Sequence, residues 1–299
     1  MTPSTPPASR LPPDGIHFSF ELFPPRTSEG KAKLPTTVAR LAALNPAFFS
    51  VTYGAGGSDQ DGTYDTVVDV VTQTGIATAP HLTCIGSTRA KVAALLERYK
   101  AAGVTRIVAL RGDLPATAMS PEAPGEFRFA NELVSFIRET HGTHFSIEVA
   151  AYPEMHPQAR SIDEDFEHFR RKADAGASSA LTQLFYNPDA YFYFRDRCAA
   201  AGMTLPIVPG IMPITGFQNV VRFCGNCGAD LPRWVRLKLE ALQDDKPALL
   251  DFGTDVVARL GETLMKGGAP GLHFYTINQA DPTLRLWKAL GLPADDVGP

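Results

Sequence analysis

The sequence contains few cysteines and no long apolar run. Four cysteines in 299 residues are too few for a disulfide framework. No uninterrupted apolar stretch reaches the length of about 18 residues that a membrane-spanning helix needs. The N-terminus also lacks the apolar core of a secretory signal. We therefore expect a cytoplasmic protein with no membrane partner.

Positive charge is not in surplus either. Lys and Arg number 28 against 32 Asp and Glu, which gives a formal net charge of −4. Proteins that bind nucleic acid through its phosphates usually carry a clear excess of positive charge. We therefore expect no nucleic-acid partner.

Several familiar motifs are absent. The sequence contains neither the GxGxxG turn of dinucleotide-binding sheets, nor a P-loop, nor a GxSxG nucleophile elbow. No cluster of His, Asp and Glu has metal-ligand spacing, so no metal is predicted. Cys224 and Cys227 have CxxC spacing, but a zinc site needs ligands beyond one pair. We interpret them as two reduced cysteines near a helix end.

The chain divides into a tail and one regular domain. Residues 1–14 are rich in Pro and poor in large apolar residues, so we predict a disordered tail. Residues 15–299 alternate between β-prone and helical segments. The predicted strands are His17–Phe23, Phe48–Tyr53, Thr78–Ile85, Arg106–Leu110, His144–Ala151, Ala180–Phe185, Pro206–Ile211 and Gly271–Ile277.

The segments between these strands have helical spacing, as in Lys91–Ala102, Asn131–Glu139 and Asp163–Ala175. Several end in Ala-Gly, where glycine can adopt the positive φ that ends a helix. Strict alternation of strand and helix predicts a parallel sheet, and about eight units in one chain predict a single-domain α/β fold, the (β/α)8 TIM barrel. An open doubly wound sheet is the alternative. The region 223–248 is predicted to add helix before the last strand.

Barrel active sites lie at the carboxyl ends of the strands, so polar residues there are candidates. Together they predict a polar cavity at the barrel mouth. These residues are Glu21, Thr52, His81, Arg111, Asp113, Tyr152, His156, Gln183, Tyr275 and Asn278.

Glu21 lies in a strand that alternates in character. Phe18 and Phe20 fall on one face and Glu21 on the other, so the aromatic face is expected to pack on helices while the carboxyl points into the barrel mouth. A partly desolvated carboxyl suits a general acid. The alternative is a structural ion pair with Arg26.

Two further groups invite a functional interpretation. Asp165, His168, Arg171 and Lys172 have the spacing of one helix face, which could hold a pyrophosphate and a ribose or could be an ordinary solvated face. In the segment 111–113, an arginine, a glycine and an aspartate follow an apolar strand. They could bind a ligand or form a turn with an internal ion pair.

Eight blocks of sequence resemble one known family. In order they are FSFELFPPRTSEG, FFSVTYGAGGS, APHLTCIG, IVALRGDLP, VAAYPEMHP, RKADAGASSALTQLFY, PGIMPI and HFYTIN, between about Ile16 and about Leu292. Each block lies at a predicted strand end. They resemble the catalytic barrel of the methylenetetrahydrofolate reductase family, in its short bacterial type without a regulatory domain.

The resemblance implies an activity. A noncovalent FAD would take a hydride from NADH or NADPH, and methylenetetrahydrofolate would then replace the nicotinamide in a ping-pong reaction. The folate ring would open to an iminium cation and receive the hydride at its methylene carbon. The resemblance also implies a homo-oligomer whose small-molecule partners are these substrates.

The resemblance further implies roles for single residues. Glu21 would be the general acid, and Asp113 would be the carboxylate that stabilises the iminium cation and tunes the flavin. The implied substrate-binding residues are Gln183, Asn219, Phe223, Tyr275 and Gln279. The implied cofactor-binding residues are Thr52, Tyr53, Ala55, His81, Arg111, Gly112, Asp113, Ala130, Tyr152, His156, Ala159, Asp165, His168, Arg171 and Lys172.

The chain departs from the family pattern at three of these positions. Gln279 stands where the family often has arginine, Asn219 where relatives can have Gln, and His168 where relatives can have Asn. The departure at Gln279 leaves open a flavin reductase with a different second substrate. A Schiff-base lyase would need a lysine at a strand end, which no predicted strand core supplies. A non-catalytic barrel is disfavoured because Glu21 and Asp113 are both present.

Overall fold

The alternating segments fold into one ring of parallel strands. The computed structural model describes residues 17–53, 60–112 and 125–293; the predicted tail and the candidates Ala55 and Asp113 lie outside this part. Within these ranges, nine parallel strands occur in the order β7-β6-β5-β4-β3-β2-β1-β9-β8. They are β1 His17–Leu22, β2 Phe48–Val51, β3 Thr78–Thr83, β4 Arg106–Leu110, β5 Ser146–Ala151, β6 Ser179–Thr182, β7 Ile207–Val208, β8 Gly210–Ile211 and β9 Gly271–Tyr275.

The seventh predicted strand is divided into β7 and β8 by Pro209. β7 pairs with β6, and β8 pairs with β9, so the two halves close the ring between them. Proline has no N–H to donate to a neighbouring strand. The backbone N–H of Gly210 donates instead to the Thr182 hydroxyl at 2.9 Å, and Pro209 accepts at 2.9 Å from the N–H of His273. The predicted TIM barrel is confirmed, with one strand interrupted.

Helices cover the outside of this ring. In the described ranges they are α1 Ser28–Ala42, α2 Gln60–Thr74, α3 Arg89–Ala101, α4 Ala130–His141, α5 Ile162–Asp174, α6 Pro188–Ala200, α7 Phe217–Cys227, α8 Arg233–Ala241, α9 Lys246–Lys266 and α10 Ala280–Ala289. α7, α8 and α9 all lie between β8 and β9, which confirms the extra helix predicted there. The predicted glycine ends are also confirmed: Gly103, Gly176 and Gly202 have φ of 78°, 104° and 75°.

The strands separate two apolar clusters. Outward residues such as Phe20, Phe49 and Phe274 join the large cluster between the sheet and the helices. Inward residues form a small cluster inside the ring, which comprises Phe48, Ala79, Val108, Leu181 and Val208. Strand alternation therefore sends one set of side chains to the helices and the other into the barrel.

The first strand shows how this alternation places a candidate residue. Phe18 meets the Trp287 ring of α10 edge-on with centroids 4.7 Å apart, and Phe20 lies 5.9 Å from the same ring. This confirms the predicted aromatic face. Glu21 consequently faces inward, toward the carboxyl ends of the strands.

Candidate active site

A cleft of about 520 Å³ opens at the carboxyl ends of the strands. This volume suits a flat organic ligand. Its wall combines polar groups from strand ends with apolar side chains. The lining residues are Glu21, Phe23, Tyr152, His156, Pro157, Gln158, Gln183, Leu184, Met212, Phe223, Asn226, Cys227, Tyr275 and Ile277. Six candidates from the sequence are thus brought together: Glu21, Tyr152, His156, Gln183, Phe223 and Tyr275.

The Glu21 carboxyl faces two histidines. Its side chain is 20% exposed, and its Oε2 lies 3.4 Å from Nε2 of His81 and 3.8 Å from Nε2 of His273. Among the described residues, these histidines rather than Arg26 are the groups within ion-pair distance of Glu21. Burial lowers the pKa of His81, and the Glu21 charge opposes that shift. His81 is therefore a neutral neighbour of the carboxyl near pH 7.

His273 is a site residue that sequence reasoning missed. It is fully buried inside the barrel, and its Nδ1 lies 2.7 Å from the Ser19 hydroxyl. Ser19 and His273 are directly paired across β1 and β9. The sequence signal was only a histidine two positions before a candidate tyrosine, on the same strand face as Tyr275 and thus inside the barrel.

The Tyr275 side chain is held in position by a hydrogen bond to β6 and by close packing on Gly210 of the interrupted strand. Its hydroxyl donates to the carbonyl of Thr182 at 2.5 Å. A side chain at Gly210 would place its Cβ 2.5 Å from the Tyr275 ring and 2.3 Å from that carbonyl, so only glycine fits. Burial raises the pKa of Tyr275 well above its usual value, and the Glu21 charge adds to this effect. Tyr275 is therefore a protonated hydrogen-bond donor at neutral pH.

A second polar group extends from β4 and β5 to α5. Arg111 donates to the side chain of Gln158, and the N–H of Gln158 donates to Nδ1 of His156 at 3.0 Å. The N–H of His156 donates to Asp165 at 2.9 Å. Lys172 donates to the carbonyl of Ala150 at 2.6 Å. Cations and a carboxylate therefore meet beside the cleft.

The charge of Lys172 is poised within this group. Burial lowers its pKa to about 8; Asp165 opposes this shift, whereas Arg111 adds to it. Lys172 is therefore mostly an ammonium at pH 7, and an anion placed nearby favours that form further.

The other candidates lie around these two groups. His168 stacks on Phe129 with centroids 4.9 Å apart, and Arg171 is exposed on α5. Asn219 on α7 and Gln279 before α10 are exposed and do not line the described cleft. The partly buried candidates at ends of elements are Thr52 and Tyr53 after β2, Gly112 after β4 and Ala159 before α5. Ala130 begins α4 and is buried.

Gly112 is required by packing in this structure. Its φ is +88°, and a Cβ there would lie 2.9 Å from the Ile85 side chain and 3.1 Å from Cβ of Thr83. A larger residue would push the ends of β3 and β4 apart. Packing is therefore enough to explain this glycine, without the ligand binding that the sequence suggested for segment 111–113.

The cysteines lie on the last turn of α7. Cys224 is buried with its pKa raised to about 12, and burial also raises the pKa of Cys227, which lines the cleft. Both are free thiols, as predicted. Across the described ranges, no cluster of three or more His, Cys, Asp or Glu could hold a metal ion, and no helix has the length and apolar character to cross a membrane.

Comparison with known proteins identifies the family. The model of the methylenetetrahydrofolate reductase family matches residues 9–291. The chain belongs to the methylenetetrahydrofolate reductase family. The match covers every strand and helix described above.

Individual relatives agree with this assignment. The chain is 39% identical over 277 residues to the 5,10-methylenetetrahydrofolate reductase of Salmonella typhimurium, covering 93% of this chain and 91% of that protein. It is 38% identical to the 5,10-methylenetetrahydrofolate reductase of Escherichia coli, again covering 93% of this chain and 91% of that protein. It is 35% identical to methylenetetrahydrofolate reductase (NADH) 1 of Zea mays, over 92% of this chain but 48% of the maize protein.

A solved structure supports the fold independently. It is an uncharacterized protein from Clostridium thermocellum that binds two copies of 5-methyl-5,6,7,8-tetrahydrofolic acid. The TM-score is 0.63 at 13% identity, covering 93% of this chain and 95% of that one. At this identity the likeness concerns the architecture alone.

Proposed function

We propose that this protein is an oxidoreductase of one-carbon metabolism that reduces 5,10-methylenetetrahydrofolate to 5-methyltetrahydrofolate with NADH or NADPH, through noncovalent FAD in a ping-pong reaction. Family membership supports the folate reaction. The observation that carries the proposal is the Glu21 carboxyl, held in the wall of a ring-sized cleft together with Gln183 and Phe223. Bound FAD would supply the hydride-carrying chemistry that connects the two substrates.

The residues present fit a flavin dinucleotide. Arg111 and Lys172 would hold the pyrophosphate, because cations with several donors bind phosphate oxygens. Asp165 accepts one backbone hydrogen bond and retains capacity to accept from ribose hydroxyls. Within the described residues, the buried Nε2 of His81 lacks a hydrogen-bond partner and could contact the cofactor as well as Glu21. Arg111, Asp165 and Lys172 do not line the cleft, whereas the candidates Tyr152 and His156 do.

Glu21 would perform the proton step on the folate. Its protonated Oε atom donates to the leaving ring nitrogen, the carbon–nitrogen bond breaks, and the methylene carbon becomes part of an iminium cation. Hydride addition to that carbon completes the methyl group. One proton and one hydride are thus consumed for each methyl group formed.

The other lining residues would bind and orient the substrate. Gln183 presents an amide at the end of β6, and its Oε1 accepts from the N–H of Leu184 at 3.0 Å. Its NH₂ group can therefore donate to a bound ring. Phe223 on α7 offers an apolar face on which a pterin or a nicotinamide can stack. Asp113 lies outside the described residues, and its proposed role as the carboxylate that stabilises the iminium cation rests on the family resemblance.

The first test is an anaerobic absorbance spectrum. The purified protein should show flavin bands that bleach when NADH is added and return when methylenetetrahydrofolate follows. A colourless protein that FAD cannot reconstitute would overturn the cofactor assignment. Bleaching without recovery would favour a flavin reductase with a different second substrate.

Lys172→Gln should weaken FAD binding by about 10- to 100-fold at pH 7, since a charge-assisted hydrogen bond contributes about 1.5–3 kcal/mol. The pKa of Lys172 is lowered to about 8, so the cation is present below that pH and is lost as pH rises through it. FAD affinity of the unmodified protein should therefore fall between pH 7 and pH 9. The measurement is a titration of apoprotein with FAD at several pH values.

The Lys172 variant should show a flatter pH dependence in the same window. Lys266→Gln is the matched control, because Lys266 is exposed in the last turn of α9, at the opposite end of the barrel from the cleft. It should bind FAD as the unmodified protein does. If FAD affinity depended on pH equally in the unmodified protein and in Lys172→Gln, a group other than Lys172 would be responsible for that dependence.

A further inference from the structure

Two unpaired nitrogen atoms face the Glu21 carboxyl. Nε2 of His81 and Nε2 of His273 are buried, and neither has a hydrogen-bond partner among the residues that the structure describes. They lie 3.4 Å and 3.8 Å from the same Oε2 atom. Buried polar atoms without partners are rare and require an explanation. Hydrogen bonds at catalytic groups are often long before the substrate binds, so both atoms are placed to pair with Glu21 at a later stage.

The strand register fixes the position of His273. Ser19 and Glu21 are two residues apart on the inward face of β1, and β9 pairs Ser19 with His273. The His273 ring stacks on Phe48 at 6.1 Å and meets Tyr275 edge-on at 5.3 Å. Packing on both sides therefore limits rotation of the ring, while Nδ1 is held at 2.7 Å from the Ser19 hydroxyl.

The contact with Ser19 selects a tautomer when Glu21 is ionised. A carboxylate has no proton to donate, so Nε2 of His273 must carry the hydrogen that faces it. Nδ1 then presents a lone pair and accepts from the Ser19 hydroxyl. Once Nε2 comes within hydrogen-bonding distance of Glu21, the three groups form one directed chain, in which Ser19 donates to His273 and His273 donates to Glu21.

We infer that His273 is a positioning residue for proton donation by Glu21, and that Ser19 fixes the tautomer in which it acts. The inference rests on the proposed role of Glu21 as the general acid. When Glu21 gives up its proton, a partly buried carboxylate forms at the barrel mouth. The Nε2–H of His273 stabilises that carboxylate by donating to it, which lowers the barrier to proton transfer.

The groups around Glu21 indicate that hydrogen bonding, rather than a neighbouring positive charge, would stabilise its carboxylate. The titratable groups that face it in the described structure are His81 from β3 and His273 and Tyr275 from β9. Tyr275 remains protonated, because burial raises its pKa well above the usual value. Burial lowers the pKa of His81, so it contributes a neutral ring. Stabilisation of the carboxylate therefore depends on donors that close on Glu21 when the substrate binds.

Two substitutions at His273 separate positioning from packing. In His273→Gln the side-chain amide nitrogen reaches about as far as Nε2 and can still donate to Glu21. In His273→Asn the amide reaches only as far as Nδ1, so the contact with Ser19 can persist while the donor to Glu21 is lost. We expect the Asn variant to slow the folate half-reaction by about tenfold, corresponding to one lost hydrogen bond to a charged group. The Gln variant should stay within about threefold.

The pH profile supplies a readout that a packing defect would not change. Loss of a donor to the carboxylate favours the protonated acid. The basic limb of the folate half-reaction should therefore move to higher pH in His273→Asn and remain in place in His273→Gln. The NADH half-reaction should be nearly unchanged in both, because it does not require the acid. Rapid mixing under anaerobic conditions measures each half-reaction separately.

A variant at Glu21 distinguishes failure of the inference from failure of the proposed function. If Glu21→Gln keeps the full folate rate, Glu21 is not the acid and the proposed function fails at this point. If Glu21→Gln is slow while the Asn and Gln variants of His273 behave alike, the inference about His273 is overturned. Adding His273→Asn to Glu21→Gln should cause no further loss.

Flavin content and tryptophan fluorescence show whether His273→Asn folds. If it does not, Ser19→Ala is a milder variant. It removes the hydroxyl and leaves the His273 ring intact. We expect a several-fold loss with the same direction of shift in the basic limb, since the tautomer is no longer fixed. An unchanged rate and an unchanged limb would show that Ser19 does not select the tautomer.

Discussion

Glu21→Gln should slow the folate half-reaction by about 10²–10⁴-fold, the usual contribution of a general acid. Glutamine keeps the size of the side chain and can still contact His81 and His273, but it has no acidic proton to donate to the leaving nitrogen. The NADH half-reaction should proceed at nearly the original rate, because it involves no proton transfer to a leaving group. Anaerobic stopped-flow absorbance at the flavin band measures both rates.

The size of the difference between the half-reactions is the critical result. A general loss of structure would slow both, whereas loss of the acid slows only the second. Glu29→Gln is a suitable control, since the Glu29 side chain is 75% exposed and pairs with Lys33 on α1. It should leave both rates unchanged. If Glu21→Gln slowed the NADH step as strongly as the folate step, its role would be in cofactor placement rather than proton donation.

Local alternation was sufficient to predict the position of Glu21. Phe18 and Phe20 identify the face that packs on α10, and a strand has only two faces, so Glu21 must point inward. The glycine helix ends were equally local, because a positive φ at Gly103 or Gly176 depends on the backbone of one turn. The barrel followed from repetition of these units.

Contacts between distant segments were not predictable in this way. The Ser19–His273 hydrogen bond joins residues 254 positions apart, and it depends on the register with which the last strand closes the ring. His273 lies in an apolar strand and looks like a core residue in the sequence. The division of the seventh strand at Pro209 likewise depends on which neighbours supply the replacement hydrogen bonds.

The candidate face on α5 was predicted in part. The helical spacing correctly grouped Asp165 with Lys172, which approach the end of β5 through His156 and Ala150. It could not show that His168 stacks on Phe129, a residue from the segment before α4. Helical spacing defines a broad stripe, and neighbouring elements decide which part of that stripe faces the cavity.

A second large effect concerns stability at the floor of the barrel. Arg106→Met should lower the free energy of unfolding by about 3–5 kcal/mol, the usual result of removing one partner from a buried ion pair. The Arg106 guanidinium is 12% exposed, contacts the fully buried carboxylate of Glu148, and lies 4.5 Å from the centre of the Phe48 ring. In the part of the chain that the structure describes, Oε2 of Glu148 has no hydrogen-bond partner. Removal of Arg106 therefore leaves a buried charge with a weak contact from Ser146, at 3.5 Å from Oε1.

The double variant Arg106→Met with Glu148→Leu tests this explanation. Both charges are then absent, and apolar side chains extend the inward cluster around Phe48 and Val108. Its loss of stability should be smaller than that of Arg106→Met alone, because the cost comes from the unpaired carboxylate rather than from the missing attraction. Urea unfolding followed by tryptophan fluorescence, to which the buried Trp287 contributes, supplies the free energies.

The exposed pair between Arg259 and Asp255 on α9 provides the scale for comparison. The side chains there are 76% and 53% exposed, so Arg259→Met should cost no more than about 0.5 kcal/mol. If Arg106→Met were equally mild, water or a protonated Glu148 would have to compensate inside the barrel. If the double variant were as unstable as Arg106→Met, the packing of Arg106 on Phe48 would be the dominant contribution. A stable double variant with a strongly destabilised single variant would show that the barrel floor requires matched partners rather than charge itself.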